Sequence, residues 1–591
     1  MDYLLVGIAA IVAIVGVTVI APRIGVAAPL LLVLFGFAIS LLPVVPPIEI
    51  DPELVLAGVL PPLLYSAAVS MPTMDFRRDF TAISGLSVLL VLISALLLGL
   101  FFTAVVPGIE LSTGIALGAI VSPTDAVATS IVKRLGVSPR VVTVLEGESM
   151  LNDASALVLL RSAIVATAAS VTLWGVALDF VWAVVAAAVI GAIIGRINLI
   201  LRKRIAEPSL STAISFVVPF VAYVPAEHLG ASGLVAAVTA GLVTGQGSAK
   251  FLRPQDRMYE ASNWRTIELL LEGGVFLLMG LELYGVLEDV RDAHDSTVRA
   301  LLIGVATGAM ILVIRAVYVL PLLISARNRR RRAPERRELI AGMQDQLDAG
   351  NIPERPGRGH GRQRSSDDPR AQQRDAEHEQ RVRRRIRQLL ADVDYVMAVP
   401  LGWREGVVLV WAGMRGVVTL AAAQSLPQDT PERSFLILIA FVVAAGTLLV
   451  QGGTLPWVVR VLGLAHDDEG EAAEAAQLRA ELNRAAVALL EKPDLRASDG
   501  TPYDAEVLRL ATERMRREID REEEDSTETA TVRAHMLELR LRTLEAERRA
   551  LLRARSLGTY SSAALSEALR MLDADQISLE LKARPLPGDP E

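Results

Sequence analysis

An acidic cluster lies inside one of the apolar parts of the chain. Residues 146–153 read EGESMLND, and mostly apolar residues surround them over 139–168. A helix of this length can cross the hydrocarbon core of a bilayer, which takes about 20 residues. An ionisable group inside such a helix is costly, and by default it marks a functional site or an ion pair. The stretch therefore predicts a membrane-spanning helix with polar chemistry inside it.

The rest of the chain repeats this apolar pattern. Hydrophobic residues make up 52% of the 591 residues and the mean hydropathy is +0.42, although 21% of the residues are charged. Soluble proteins rarely average so apolar, so the charges must be separated from the apolar runs. We predict an all-α polytopic membrane protein with about thirteen transmembrane helices. The runs lie near 3–20, 25–45, 54–70, 82–106, 111–132, 139–168, 172–200, 208–226, 231–246, 264–287, 297–325, 402–425 and 434–463.

Composition divides the chain into four parts. Eleven spans fill 1–325 and two more fill 402–463, with a charged insert at 326–401 between them and a charged tail at 464–591. The insert has too few apolar residues to bury a core, so we expect a solvated, largely disordered connector. The alternative is that its basic start at 327–332 lies against anionic lipid headgroups. The tail alternates Leu and Ala with Arg and Glu, which predicts cytosolic amphipathic helices.

Loop charges orient the membrane part. Lys and Arg collect in alternate loops, from Arg23 onward to the Arg-rich insert, whereas the other loops hold acidic residues such as Glu110. Because positive loops face the cytoplasm, we expect the N-terminus outside and the insert and tail inside. No basic segment precedes the first apolar run, so we interpret that run as a span and not as a cleaved signal peptide.

Side chains on the sixth span share faces that suit a small cation. At about 3.6 residues per turn, Ser149, Asn152 and Asp153 lie on one face, with Glu148 on an adjoining one and Glu146 nearby. Hydroxyl, amide and carboxylate oxygens can replace the water shell of a hard cation. The chain has no cysteine, which excludes disulfides and thiolate metal sites.

Two other spans are expected to be interrupted. Residues 122–125 read SPTD, and Pro123 removes a backbone donor and disfavours a regular helix. Residues 411–419 read WAGMRGVVT, where two glycines flank Arg415, a charge that cannot face lipid. Interrupted helices near the bilayer midplane commonly build the ion sites of transporters. We expect Arg415 to pair with an intramembrane carboxylate, and Glu148 is the first choice.

Other charges in the spans are less specific. Glu268 and Glu272 lie one turn apart on the tenth span, and Arg315 lies on the eleventh. An ion pair or a helix-end anchor explains each of them as well as an ion pathway does. Arg161 is expected to form a pair or to reach outward, and His228 is expected at the surface.

Taken together, these motifs resemble the monovalent cation/proton antiporters of the sodium/proton exchanger type, in the NhaP-like branch. The matching pieces are 122–125, 146–153, FLLMGL at 276–281 and GMRG at 413–416, and the resemblance covers roughly 1–463. It implies the NhaA/NapA-like antiporter fold, with inverted repeats and two broken, crossing helices. It also implies a homodimer, and we expect a multi-pass protein of the plasma membrane.

The resemblance assigns roles to the polar residues. It implies that Asp153 binds sodium or a proton alternately, and that Ser149 and Thr124 help to coordinate the cation. Asn152 and Asp125 would organise the site. An Asn-Asp pair, in place of two Asp residues, is associated in such proteins with electroneutral one-for-one exchange.

One further match and one departure concern other helices. Glu148 and Arg415 match a buried, stabilising ion pair of the family. Exchangers often carry an acidic residue on the third span after paired prolines, and here Ser66 occupies that place. We expect the missing carboxylate to weaken cation binding or to change the choice among sodium, lithium and potassium.

These features predict a secondary antiporter and not an enzyme. Burial disfavours the charged form of Asp153 whereas a bound cation favours it, so one carboxylate can hold a proton or a sodium ion in competition. Alternating access would couple the two fluxes without a cofactor. The expected partners are Na⁺, H⁺, the lipid bilayer and a second copy of the chain, with no nucleic acid, and the expected role is pH homeostasis. The alternatives are potassium/proton exchange and, less favoured, a cation channel or a membrane sensor.

Overall fold

A computed structural model of the chain forms two compact units, Met1–Ala465 and His466–Glu591. It describes residues 2–24, 26–42, 51–168, 173–292, 296–348, 369–464, 486–491, 495–496, 501–513, 516, 540–544, 546–547, 549, 571–572 and 574–579. Within these ranges the regular structure is helical, apart from one isolated bridge between Arg496 and Pro502. The predicted all-α class is confirmed.

Helices of the first half form from the apolar runs and end at glycines, prolines or short polar turns. They are α1 (Asp2–Ile24), α2 (Ala28–Ser40), α3 (Leu60–Ser70), α4 (Thr73–Ser84), α5 (Leu90–Val105), α6 (Leu111–Val121), α7 (Val127–Arg134), α8 (Pro139–Ala168), α9 (Leu173–Arg202) and α10 (Pro208–His228). Two π-helical segments, Leu54–Val59 and Gly85–Leu89, lead into α3 and α5 without a break.

The second half contains the longest helices and a second group of short ones. They are α11 (Gly233–Phe251), α12 (Pro254–Asp292), α13 (Thr297–Arg331), α14 (Ala333–Asp348), α15 (Pro369–Ala398), α16 (Trp403–Trp411), α17 (Val417–Gln424), α18 (Arg433–Thr447) and α19 (Gly453–Leu462). A π-helical segment, Leu448–Gly452, joins α18 to α19.

Many of these helices suit a membrane. In the part of the chain that the structure describes, 7 helical stretches are long and apolar enough to cross a bilayer. They are Met74–Val105, Pro139–Ala166, Leu178–Arg202, Pro208–His228, Pro254–Glu288, Thr297–Arg331 and Arg433–Leu462. Shorter apolar helices cover Val6–Ala21, Ala28–Ser40, Leu54–Ser70 and Leu111–Val121. The number of crossings stays a prediction, because length and composition alone do not place a helix in the bilayer.

Glycines bring α5 and α6 into close contact. A methyl group at Gly114 would meet the carbonyl oxygen of Gly99 at 2.6 Å, and one at Gly118 would clash with the carbonyl oxygen of Ala95. Small residues allow this approach of two membrane helices, which then pack through their backbones. The contact fixes the position of α6, whose C-terminal end carries the first interruption.

The described part of the insert is largely helical. α13 continues to Arg331, and α14 and α15 pack against each other. The expected disorder of the insert as a whole stays a prediction. Residues 349–368 lie outside the described part. Ion pairs along the helix, such as Arg383 Nε to Glu379 Oε1 at 2.9 Å, support α15 without an apolar core.

The end of α15 contacts the helices that carry the site. Arg140, at the start of α8, pairs with Asp79 of α4 at 2.7 Å between Nη2 and Oδ1, and the two side chains are 8% and 3% exposed. Arg140 Nη1 also donates to the carbonyl oxygen of Val399 at 2.9 Å. The Tyr395 hydroxyl donates to Asp79 Oδ2 at 3.3 Å, and Arg78 Nε donates to the Asp392 carboxylate at 2.7 Å. The insert is therefore tied to α4 and α8 through a partly buried polar junction.

The unit His466–Glu591 is described in short pieces. Residues 505–513 form a helix in which Arg509 pairs with Glu506 at 2.6 Å and with Glu513 at 2.5 Å. These exposed pairs match the charge pattern that predicts tail helices. Half of the LELRLR pattern at 537–542 lies outside the described residues, and its second half, 540–542, is helical.

Candidate functional site

The helix predicted over 111–132 is interrupted. α6 ends at Val121 and α7 begins at Val127, and the residues between them are not helical. Pro123 lies in this gap, where it lacks the N–H that would continue the ladder. Ser122 Oγ donates to the carbonyl oxygen of Gly118 at 2.6 Å, inside the last turn of α6.

The helix predicted over 402–425 is interrupted as well. α16 ends at Trp411 and α17 begins at Val417. The two interruptions touch, because the backbone N–H of Asp125 donates to the carbonyl oxygen of Met414 at 2.8 Å. This bond pairs one backbone N–H of the first break with one carbonyl oxygen of the second, and buried backbone groups in a membrane need such partners.

Arg415 closes this junction. It is 3% exposed, and it donates from Nε to the carbonyl oxygen of Val121 at 2.8 Å, from Nη2 to that of Ser122 at 3.1 Å and from Nη1 to that of Gly413. The first two carbonyls lie at the C-terminal end of α6, where oxygens lack helical partners and the helix dipole is negative. The expected ion pair between Glu148 and Arg415 is therefore wrong, since Arg415 donates to backbone oxygens of the breaks.

Glu148 pairs instead with Arg315 of α13. Arg315 Nη2 donates to Glu148 Oε2 at 2.7 Å, and Nη1 donates to Oε1. The side chains are 2% exposed for Arg315 and 1% for Glu148, and Arg315 Nε donates to the carbonyl oxygen of Leu409 at 2.7 Å. Buried ions are tolerated when their hydrogen bonds are satisfied, as they are here. The pair ties α8 and α13 to the end of α16.

A polar chain connects this pair to the predicted cation ligands. Thr124 Oγ1 donates to Glu148 Oε1 at 3.2 Å and accepts from Asn152 Nδ2 at 2.7 Å. All three residues are buried. Asn152 Oδ1 has no hydrogen-bond partner among the described residues. Glu148 and Asn152 thus hold the Thr124 hydroxyl from two sides.

Asp153 faces a cavity of about 250 Å³ beside the two breaks. The predicted ligands Thr124, Asp125 and Ser149 line the same cavity. Asp153 is 7% exposed, and its carboxylate accepts no hydrogen bond from the described residues. A buried charge without a partner is unfavourable, and binding a proton or a cation removes that cost.

Asp125 supplies the second carboxylate. Its Oδ1 accepts from the backbone N–H of Val127 at 3.2 Å at the start of α7, and its Oδ2 is buried without a partner in the described part. Gly416 of the second break lies so close that a methyl group there would overlap Oδ2. Asp125 and Asp153 also repel each other across the cavity. The arrangement favours a positive ion between the two carboxylates.

The remaining candidate site residues differ in whether they lie at the cavity. Glu272 lines the cavity together with Glu268, both on α12. Ser66 is 6% exposed and interacts with the Glu268 carboxylate. Glu146 is not among the cavity residues, and it forms an ion pair with the exposed Lys133, at 3.3 Å between Oε1 and Nζ.

Two residues outside the site have the environments that the sequence predicted. Arg161 pairs with Glu227 at 2.6 Å between Nη1 and Oε2, and His228 is exposed. In the described ranges no group of three or more His, Asp or Glu side chains is placed to hold a metal ion. The oxygen ligands of the cavity are mixed instead, with carboxylates beside hydroxyls.

Sequence reasoning missed two polar residues of the cavity, Ser130 of α7 and Thr419 of α17. Each lies in the first turn or so after a break. Side chains in a helix tilt toward its N-terminus, so those near the start of a half-helix point back to the break. Both residues could have been predicted as cavity residues from the sequence, because each follows a predicted interruption by about one helical turn.

Two interrupted membrane helices that meet beside a buried carboxylate, for which the described residues supply no hydrogen bond, are typical of a secondary ion transporter. The family of sodium/hydrogen exchangers, described as "Sodium/hydrogen exchanger, transmembrane", matches residues 8–343 and 389–461. The chain belongs to this family, and the resemblance seen in its motifs is confirmed. The unmatched residues 344–388 lie within the insert.

Individual relatives agree with this assignment. The chain is 28% identical over 506 residues to an uncharacterized Na⁺/H⁺ exchanger of Mycobacterium tuberculosis, covering 83% of this chain and 80% of that protein. It is 28% identical over 472 residues to the low-affinity Na⁺/H⁺ antiporter NhaS1 of Synechocystis, covering 79% and 75%. The solved structure of the sodium/proton antiporter MjNhaP1 of Methanocaldococcus jannaschii has a TM-score of 0.55 at 18% identity, covering 78% of this chain and 100% of that one. This last likeness confirms the predicted antiporter fold.

Proposed function

We propose that this chain exchanges sodium ions for protons across the plasma membrane, one for one. The observation that carries the proposal is the Asp153 carboxylate, 7% exposed and unpaired in the described structure, in a cavity with Asp125, Thr124 and Ser149. Relatives named as Na⁺/H⁺ antiporters favour sodium over potassium as the exchanged ion.

Competition at Asp153 is the proposed chemistry. Two carboxylates in one buried cavity repel each other, and either a proton or a monovalent cation relieves that repulsion. Sodium also gains the neutral oxygens of Ser149 and Thr124, while Asn152 and Asp125 hold the ligands in place. One binding group thus serves two ions that exclude each other.

The same chemistry supports electroneutral exchange. Asp153 is neutralised by one proton or by one sodium ion, so the loaded site carries the same charge in both directions. Asn152, its neighbour, cannot ionise. We assign no charge-carrying step to Asp125, which caps the start of α7.

Coupling requires that the site open to one side at a time. Arg415 holds the two breaks together and the Glu148–Arg315 pair holds α8 to α13, so these helices are expected to move as one body. From the loop charges we place the N-terminus outside and the insert and tail in the cytoplasm. We further propose a homodimer that serves pH homeostasis, on the strength of the family resemblance.

The test uses proteoliposomes with an internal pH dye and an imposed proton gradient. Sodium, potassium and lithium are added separately to the wild type, to Asp153→Asn and to Glu146→Gln, a control that neutralises a carboxylate outside the cavity. Sodium should trigger proton movement in the wild type and in Glu146→Gln but not in Asp153→Asn. Clamping the voltage with an ionophore should leave the rate unchanged.

Each other outcome changes a stated part of the proposal. Movement driven by potassium and not by sodium would establish potassium/proton exchange. A rate that depends on the clamp would contradict electroneutrality. Full activity in Asp153→Asn would contradict the assignment of Asp153 as the group that binds sodium or a proton. No proton movement with any cation would favour a channel or a sensor.

A further inference from the structure

One face of α13 is apolar and exposed along much of its length. Val313, Val317, Leu320 and Ile324 are 62%, 67%, 60% and 53% exposed. They recur every three or four residues, so they form one stripe. On a helix that crosses a bilayer, such a stripe contacts acyl chains.

This stripe ends in a basic cleft. A cleft of about 450 Å³ lies at the C-terminal end of α13, and it is lined by Pro321, Ile324, Ser325, Asn328, Arg329, Arg332 and Arg336. Helical hydrogen bonding continues from α13 into α14, because the Arg336 N–H donates to the carbonyl oxygen of Arg332 at 3.2 Å. Arg329, Arg332 and Arg336 therefore share one face of a nearly continuous helix.

Among the described residues, the three arginines of the cleft have no anionic partner. None of them forms an ion pair with a residue that the structure describes. Their neighbour Arg337 differs, since its Nε lies 2.7 Å from Asp394 Oδ1 of α15. Like charges one turn apart repel each other, so the cluster is unfavourable by itself and is stabilised by an anion.

We propose that this cleft binds the phosphate headgroup of an anionic phospholipid. A guanidinium group can donate two parallel hydrogen bonds to phosphate oxygens. Arg329, Arg332 and Arg336 supply three guanidinium groups. Ser325 and Asn328 add uncharged donors beside them.

The apolar part of the cleft selects a lipid over a free anion. Pro321 and Ile324 form its apolar side and continue into the exposed stripe of α13, where acyl chains can lie. Inorganic phosphate would gain the charged contacts alone. A bound lipid would fix the point where the insert leaves the membrane. α14 of that insert packs on α15, whose end contacts α4 and α8.

The experiment titrates full-length protein in detergent with phosphatidylglycerol or phosphatidylcholine and counts bound lipids by native mass spectrometry. The cleft variant replaces Arg329, Arg332 and Arg336 with Gln. The control replaces Arg327, Arg330 and Arg331 with Gln, which removes the same charge from exposed positions outside the cleft. Phosphatidylglycerol should bind the cleft variant about tenfold or more weakly than the wild type and the control.

The remaining arms decide what the cleft recognises. Equal weakening in both triple variants would overturn the proposal, since it would indicate a diffuse basic surface. Unchanged binding in the cleft variant would overturn it as well. Displacement of phosphatidylglycerol by equimolar inorganic phosphate would overturn the proposal that the cleft binds a lipid, since it would show a site for a free anion. Should the triple variant misfold, Arg332→Gln alone should still weaken binding relative to Arg330→Gln.

Discussion

Arg315 of α13 and Glu148 of α8 form an ion pair that is almost fully buried, with side chains 2% and 1% exposed. Thr124 donates to the same carboxylate at 3.2 Å, so the pair also positions a hydroxyl of the cavity. Breaking such a pair leaves an uncompensated charge in the interior, which typically costs about 3–5 kcal/mol. The stability of the protein and the geometry of its site are thus linked through one contact.

Arg315→Gln is therefore expected to destabilise the protein by about 3–5 kcal/mol and to abolish exchange. Unfolding in detergent and proteoliposome transport measure the two effects. Lys133→Gln is the control, because it breaks the exposed pair with Glu146 and should cost less than about 1 kcal/mol.

A double variant tests which arginine is the partner. Glu148→Gln together with Arg315→Gln removes both charges of one pair, so it should recover part of the stability that each single variant loses. Glu148→Gln together with Arg415→Gln should show no such recovery, because Arg415 binds backbone carbonyls. Recovery with Arg415 in place of Arg315 would contradict the observed pairing.

Gly416 is expected to tolerate no side chain. A methyl group there would overlap the Asp125 carboxylate, so Gly416→Ala must displace either the second break or Asp125. We expect the maximal exchange rate to fall about tenfold or more, which corresponds to about 1.4 kcal/mol. Gly446→Ala in α18 is the control, since no atom lies within 4 Å of its added methyl group. Equal rates in the two variants would show that the close approach at Gly416 is not needed.

Glu272 is expected to attract the cation toward the site. Its carboxylate lines the cavity of Asp153, and a cavity with negative walls raises the local concentration of cations. Glu272→Gln should raise the KM for sodium roughly three- to tenfold with a smaller change in the maximal rate. Glu288→Gln neutralises an exposed carboxylate of the same helix and should leave both constants unchanged. A fall in maximal rate with constant KM would assign Glu272 to a later step.

The faces of single helices were predictable from the sequence, and partners between helices were not. Ser149 and Asp153 are one turn apart on α8, so their shared cavity follows from helix periodicity. Arg315 and Arg415 both lie in apolar spans, and nothing in their local sequence says which one meets Glu148. That choice depends on how α8, α13 and the breaks pack together, and only the structure shows it.

The helices of the insert could not be predicted from composition, for a different reason. Its composition excludes an apolar core, but a helix can form on i,i+4 ion pairs such as that of Arg383 with Glu379, and it can dock through a few polar contacts. Composition averages over such contacts. The Tyr395 hydroxyl, which donates to Asp79, is one of them and can be tested separately.

Tyr395 gives the junction between insert and core a defined pH dependence. Burial, followed by the Asp79 carboxylate, raises the pKa of the Tyr395 hydroxyl above its ordinary value of 10.0. The unfolded chain therefore loses this proton first as the pH rises. The stability that the hydroxyl contributes is complete below about pH 10 and is lost above it.

We expect the wild type to be more stable than Tyr395→Phe by about 0.5–1.5 kcal/mol at neutral pH, the usual contribution of one hydrogen bond. By about pH 11 this difference should close, because only the wild type carries the ionising group. Denaturant unfolding of both proteins at the two pH values measures it. Tyr284→Phe, which changes a tyrosine 40% exposed on α12, should match the wild type at neutral pH. A difference between wild type and Tyr395→Phe that persists or widens at about pH 11 would show that the hydroxyl is not held against Asp79, because that contact is what sets the sign of the pH dependence.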